Sequence, residues 1–234
     1  MVYIMNKKGK HRREKMLNTL KEIKMIQKKP DGIFGSFMTR PVSHIFTYFC
    51  YKLSLSPNFV SFLSIAFCFI GIVIICIYPE NYGFILLAAA MWWIGAIFDA
   101  ADGDLARFTG KMSLFGGWLD SFLDRIKEFL IFGLLGYLMY KMHNNEIYLL
   151  AGFISIFVNV MSGYISDTKK LFIQNRTPQI NLSKNYIFGM VDTRDFIVIL
   201  SLVLNEFRIA LIAYSTIFVF ALMLQVYRFV RKYA

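Results

Sequence analysis

The segment Asp99–Asp124 reads DAADGDLARFTGKMSLFGGWLDSFLD and sets four carboxylates within two apolar stretches. Asp99 and Asp102 are three residues apart, and Asp120 and Asp124 are four apart. Side chains three or four apart share one face of a helix, so each pair forms a two-carboxylate face. An ionisable side chain at membrane depth costs at least about 2.5–3.5 kcal/mol on insertion scales and marks function. Four carboxylates together repel one another unless positive charge lies among them. Their oxygens suit hard divalent cations such as Mg²⁺, Mn²⁺ or Ca²⁺, so metal-assisted chemistry on an anionic substrate fits these residues.

The elements that must hold these faces are membrane helices. The chain has 234 residues, 57% of them hydrophobic and 18% charged. Several apolar runs approach the roughly 20 residues that span a bilayer, most clearly Phe59–Tyr78. The expected fold is an all-α polytopic membrane protein with six spans, at 58–78, 83–108, 115–141, 147–167, 193–206 and 208–228. One membrane domain, 33–234, follows a basic extension, 1–32, and the polar, basic start does not read as a cleavable signal peptide. Phe34, Phe37, Ile45, Phe46, Phe49 and Leu53 alternate with Arg40, His44 and Lys52, which predicts an interfacial helix over 35–55. Ser56 then suits an N-cap and Pro57 the first turn of the next helix.

The net charge of +11 is concentrated between Lys7 and Lys29, where Met16, Leu17, Leu20, Ile23 and Ile26 recur at helical spacing. Such a basic amphipathic helix lies on an anionic membrane surface, or serves as a solvated tail that fixes orientation. No nucleic-acid motif accompanies it. Lys and Arg also gather at Arg107–Lys111, Lys169–Lys184 and Arg228–Lys232, whereas Pro79–Tyr82, Met142–Glu146 and Asn205–Phe207 are poor in them. The positive-inside rule therefore puts both termini, and the start of the Asp cluster, on the cytoplasmic side of the cell membrane. The second span ends there and the third begins there, so the two carboxylate faces meet at one depth. Cys50, Cys68 and Cys76 have no metal or redox spacing and read as apolar filler.

Asp102-Gly103-x-x-Ala106-Arg107, eight residues, then Gly116-x-x-x-Asp120-x-x-x-Asp124 resembles the signature of the CDP-alcohol phosphotransferase (phosphatidyltransferase) family at every fixed position. Asp99 matches the upstream Asp of its longer form. The resemblance implies transfer of a substituted phosphate from a CDP-alcohol to an acceptor hydroxyl, with release of CMP, in phospholipid or polyol-phosphate synthesis. It implies two divalent metal ions, Mg²⁺ or Mn²⁺, on Asp99, Asp102, Asp120 and Asp124, with Asp124 also the general base. Asp102, Gly103, Ala106, Arg107, Ser113 and Gly116 match positions bordering the CDP group, Arg107 facing the diphosphate. It further implies a donor and acceptor of which one is a lipid, and a homodimer.

Each residue also has a plainer reading. The four Asp can form an ion network with Arg107, Arg125 and Lys127. Gly103, Ala106 and Gly116 can serve close helix packing. Arg107 can anchor at the cytoplasmic surface, and Ser113 can cap a helix. Asp104 lies off the Asp99/Asp102 face and reads as structural or solvent-facing.

Lys29-Pro30-Asp31-Gly32, Met38-Thr39-Arg40-Pro41-Val42-Ser43, Ser56-Pro57-Asn58 and Thr193-Arg194-Asp195-Phe196 are similar to the di-myo-inositol-phosphate-phosphate synthase branch, which uses inositol phosphates. An acceptor with its own phosphate needs further cations, for which Arg125, Lys170 and Arg194 are candidates. Arg194 can instead pair with Asp192 or Asp195. Two other classes compete with this reading: a divalent-cation transporter using the Asp cluster, which should place it near the midplane, and a non-catalytic scaffold working through the basic helix.

Overall fold

The computed structural model describes residues 2–27, 35–174 and 190–233, and every regular element among them is helical. The order is α1 (Val2–Ile26), one π-helical turn (Gly35–Thr39), α2 (Arg40–Lys52), α3 (Pro57–Ile77), α4 (Tyr82–Thr109), α5 (Leu114–His143), α6 (Ile147–Gln174), α7 (Met190–Leu204) and α8 (Phe207–Tyr233). The stretch Lys29–Gly32, used in the second resemblance, lies outside the described residues, as does the boundary at residues 32–33.

Among the described residues four helices are long and apolar enough to cross a membrane: Pro57–Ile77, Tyr82–Thr109, Ile147–Ser166 and Phe207–Arg231. The other two expected spans coincide with α5 and α7. Helix α5 has ample length but carries Asp120, Asp124, Arg125, Lys127 and Glu128 in two and a half turns. The described part of α7 has 15 residues.

Local chemistry sets the helix ends. Ser56 Oγ accepts from the Phe59 amide at 3.3 Å, with Pro57 in the first turn of α3. Asn81 caps α4 by accepting from the amides of Gly83 and Phe84. Gly110 ends α4 at φ +66°, a left-handed conformation that glycine adopts without steric cost. The Lys111 amide then donates back to the Ala106 carbonyl at 2.9 Å. Ser113 starts α5, its Oγ accepting from the Gly116 amide at 3.0 Å. Two helices bearing carboxylates are thereby joined by four residues, 110–113.

The main core gathers Ile72, Ile85, Trp92, Phe132, Leu135, Leu202 and Tyr214 from α3 to α8. A smaller cluster of Cys50, Val60, Ala101 and Leu105 packs α2 and α3 against the last turns of α4. Phe69, Phe153 and Phe220 point outward, as expected of side chains facing lipid. Helices α3 and α4 lie very close: a Cβ on Gly95 would fall 2.9 Å from the Ser64 carbonyl oxygen.

Within the stretch 35–55, expected as an interfacial helix, an α-helix forms over Arg40–Lys52 with its small polar face inward. Ser43, Thr47 and Cys50 are buried, while Ile45, Phe49 and Leu53 are exposed. Of the α1 stripe, Ile23 is fully buried, whereas Met16 and Leu17 are exposed.

Candidate active site

Two serines on α3 face the α4 carboxylates. Ser61 Oγ donates to Asp102 Oδ2 at 2.5 Å, and Ser64 Oγ to Asp99 Oδ1 at 3.4 Å. They are three residues apart, as are the two Asp, so the i, i+3 faces of neighbouring helices are in register. The close approach at Gly95 makes this reach possible.

Helix α5 brings the second face. Lys127 Nζ lies 2.5 Å from Asp99 Oδ1 on α4 and 2.8 Å from Asp124 Oδ1 on its own helix. The ammonium is buried and bridges the two faces the sequence placed together. Asp102 is within electrostatic range of both Asp99 and Asp120. Asp120 is exposed and Asp102 buried.

A second layer of charge lies deeper. Arg194, at the start of α7 and 1% exposed, pairs with Glu128 Oε1 at 2.7 Å and Asp195 Oδ1 at 3.0 Å. It also reaches within 3.6 Å of Asp124 Oδ1. The Trp92 indole nitrogen donates to the same Asp195 oxygen at 3.3 Å. Arg125 pairs with Glu128 Oε2 at 2.8 Å and donates to the Asn159 carbonyl on α6 at 2.6 Å. The candidate acceptor cations Arg125 and Arg194 are thus held by carboxylates, with Arg125 the more exposed. The side chains of Lys170, Asp192 and Thr193 lie outside the described ones.

The CDP-side candidates group at the facing ends of α4 and α5. Ser113 is the N-cap of α5. A Cβ on Gly116 would meet Ser113 Oγ at 3.2 Å and Asn58 Oδ1 at 3.4 Å. A Cβ on Gly103 would lie 3.3 Å from the Arg107 guanidinium, so the glycine lets that side chain fold back over the helix. Ala106 is half-buried between them in sequence. Arg107 Nη2 pairs with Asp104 Oδ1 at 2.5 Å. Asp104 is fully buried rather than solvent-facing, which selects the structural of its two sequence readings.

The carboxylate and hydroxyl oxygens of the donor set suit a hard divalent cation. Asp124 Oδ1 is buried and accepts no hydrogen bond of normal geometry, holding Lys127 and Arg194 by charge proximity. Among the described residues no three acidic, His or Cys side chains close on one point as a formed metal site. The chemistry of the donors fits the ion; the bridging ammonium takes part of the charge balance.

Sequence reasoning missed Ser61, Ser64, Glu128 and Trp92, whereas the pairing of Arg194 with Asp195 was one of its two readings of that arginine. The serines had a signal, polar residues at i, i+3 in an otherwise apolar span. Glu128 had one too, continuing the 116, 120, 124 row by one turn.

Comparison with known proteins places this site in a wider set. A bifunctional IPC transferase and DIPP synthase of Archaeoglobus fulgidus is 31% identical over 138 residues, 59% of this chain and 27% of that protein. An archaetidylinositol phosphate synthase of Pyrococcus horikoshii is 54% identical over 43 residues, 18% of this chain and 23% of the other. An uncharacterized protein of Aquifex aeolicus is 32% identical over 105 residues, 45% of this chain and 50% of that one. The chain thus spans about a quarter of the length of the first two relatives and half that of the third. The family model described as CDP-alcohol phosphatidyltransferase matches residues 54–231, from just before α3 into α8, with all four candidate aspartates inside it. The chain belongs to the CDP-alcohol phosphatidyltransferase family.

Proposed function

We propose that the chain is an integral-membrane CDP-alcohol phosphotransferase, moving a substituted phosphate from a CDP-alcohol to an acceptor hydroxyl and releasing CMP. Phospholipid or polyol-phosphate synthesis is its setting. The observation that carries this reading is the meeting of Asp99 and Asp124 across Lys127, within the family-matched segment.

Asp99, Asp102, Asp120 and Asp124 would hold two divalent ions, Mg²⁺ or Mn²⁺, which when bound neutralise charge on the diphosphate. Asp124 takes the proton from the attacking hydroxyl. The acceptor oxygen–phosphorus bond forms as the bond between that phosphorus and the CMP oxygen breaks. Asp102, Gly103, Ala106, Ser113 and Gly116 border the CDP group, and Arg107 steadies the diphosphate with its guanidinium. Lys127 and Arg194 lie beside Asp124 and orient its carboxylate by charge.

We read α5 and α7 as the third and fifth of six spans, beside the four apolar ones. The pairing of the α5 charges inside the bundle supports this. Both termini and the site then face the cytoplasm, and the exposed aromatic faces of α6 and α8 are the surface available to a homodimer. Two relatives' names support a finer reading, CDP-inositol joined to an acceptor of the inositol-phosphate type. Arg125, Lys170 and Arg194 would meet that acceptor's phosphate, Arg125 with the freest access.

The test is CMP release by purified protein in detergent with Mg²⁺ or Mn²⁺. The donors are CDP-diacylglycerol, CDP-inositol, CDP-choline and CDP-ethanolamine, each with lipid and polyol acceptors. Acceptor-dependent CMP that disappears in Asp124→Asn supports the reading. CMP formation that persists in that variant overturns the role of Asp124, and divalent-ion flux in vesicles with no CMP from any pair overturns the enzyme.

A further inference from the structure

Asp104 occupies a variable position of the motif, yet it is the most fully partnered carboxylate at this end of the molecule. Its side chain is entirely buried. Oδ1 takes Arg107 Nη2 from its own helix at 2.5 Å and Arg40 Nη1 from α2 at 3.0 Å. Oδ2 takes Gln27 Nε2, just beyond α1, at 3.0 Å and Ser43 Oγ from α2 at 3.5 Å. One carboxylate therefore ties three helices and pairs with two guanidinium groups at once.

The Arg107 side of this junction is constrained from a second direction. Its guanidinium lies over Gly103, where any Cβ would press within 3.3–3.4 Å of Nη1 and Nη2. Arg107 Nε is buried without a hydrogen-bond partner. A flexible arginine has several rotamers; here glycine opens one path along the helix and Asp104 fixes its end. Such preorganisation lowers the ordering cost when an anion binds.

We propose that Asp104 is the positioning residue of Arg107, holding its guanidinium toward the diphosphate while docking α1 and α2 onto the nucleotide end of α4. The proposal rests on the proposed role of Arg107. It separates Asp104 from its other partner, Arg40, which shares the carboxylate but lies on the α2 side. Loss of Asp104 weakens diphosphate recognition, whereas loss of Arg40 loosens the helix junction and leaves that recognition in place.

The experiment measures binding of CDP and CMP to the full chain in detergent with Mg²⁺, alongside thermal unfolding, for wild type, R107A, D104N, D104E and R40Q. R107A and D104N should each weaken CDP about tenfold more than CMP, the size of one charged hydrogen bond, with R40Q within about twofold of wild type on both ligands. D104E keeps the charge but displaces it, so it should retain stability and still lose CDP selectivity; it covers the case in which D104N does not fold. R107A with no effect on CDP removes the Arg107 reading and the proposal with it. An R107A defect beside wild-type CDP binding in D104N or D104E overturns the proposal alone. Equal CDP loss in R40Q and D104N also overturns it, because the effect is then general loosening.

Discussion

Lys127 Nζ is within 2.8 Å of carboxylates on two different helices, Asp99 on α4 and Asp124 on α5. This pair of contacts is the electrostatic join between the two halves of the site. The side chain is buried, so its charge is weakly screened and each carboxylate depends on it.

Lys127→Met should therefore destabilise the metal-free protein by about 3–5 kcal/mol, the cost of leaving buried charge unpaired. Mg²⁺ or Mn²⁺ should raise the melting temperature of the variant more than that of wild type, because metal charge replaces the missing ammonium. Thermal unfolding in detergent, with EDTA or with metal, reads both effects. An identical metal response in the two proteins would show that Lys127 and the metal do not share these carboxylates.

Asp124→Asn removes the proposed base while keeping the side chain's size. Acceptor-dependent CMP release should fall by about 10²–10⁴-fold, the usual contribution of general-base catalysis, and the melting temperature should fall too, because Lys127 and Arg194 lose a buried partner. A loss of stability with CMP release by the folded variant unchanged would instead place Asp124 in the ion network alone.

Ser61 holds Asp102 through a 2.5 Å hydrogen bond. Ser61→Ala should cost about 10–100-fold in divalent-metal affinity, the range found when an orienting partner of a ligand is lost. Mn²⁺ titration followed by electron paramagnetic resonance measures this without any turnover.

Glu128 lies beneath the site between Arg125 and Arg194. Glu128→Gln leaves two guanidinium groups with reduced compensation and should lower stability by about 3 kcal/mol. The loss should exceed that of Glu146→Gln, on the exposed turn before α6. Chemical denaturation in mixed micelles compares the two.

The sequence carried the four aspartates and their pairing, because helical spacing alone fixes which side chains share a face. It also carried the caps at Ser56 and Ser113, whose polar side chains precede apolar runs. It did not carry the partners across helices. Ser61 and Ser64 reach Asp102 and Asp99 only because α3 approaches at Gly95, a tertiary fact. Asp104 was legible as off the Asp99/Asp102 face, but burial followed from α2 packing on that side. The inward turn of Ser43 and Thr47 ran against the usual rule that polar faces meet water. In α2 the apolar residues have lipid to face, so the small polar ones are free to pack against α4. The expected span at 115–141 was legible and coincides with α5, but which of its charges neutralise one another was not, because those pairs form only in the folded bundle.

The four-residue link at Gly110–Ser113 bears on how such a charged site enters a membrane during synthesis. Helices α4 and α5 leave the ribosome in immediate succession, and Asp99, Asp124 and Lys127 lie on this single hairpin. The hairpin brings its own counter-ion, so its acids need not wait for a distant segment before leaving water. Only the link 110–113 separates the two helices, so little loop entropy opposes their meeting. The site can thus be assembled early, with α7 and its Arg194 arriving as a late addition to a hairpin already in place.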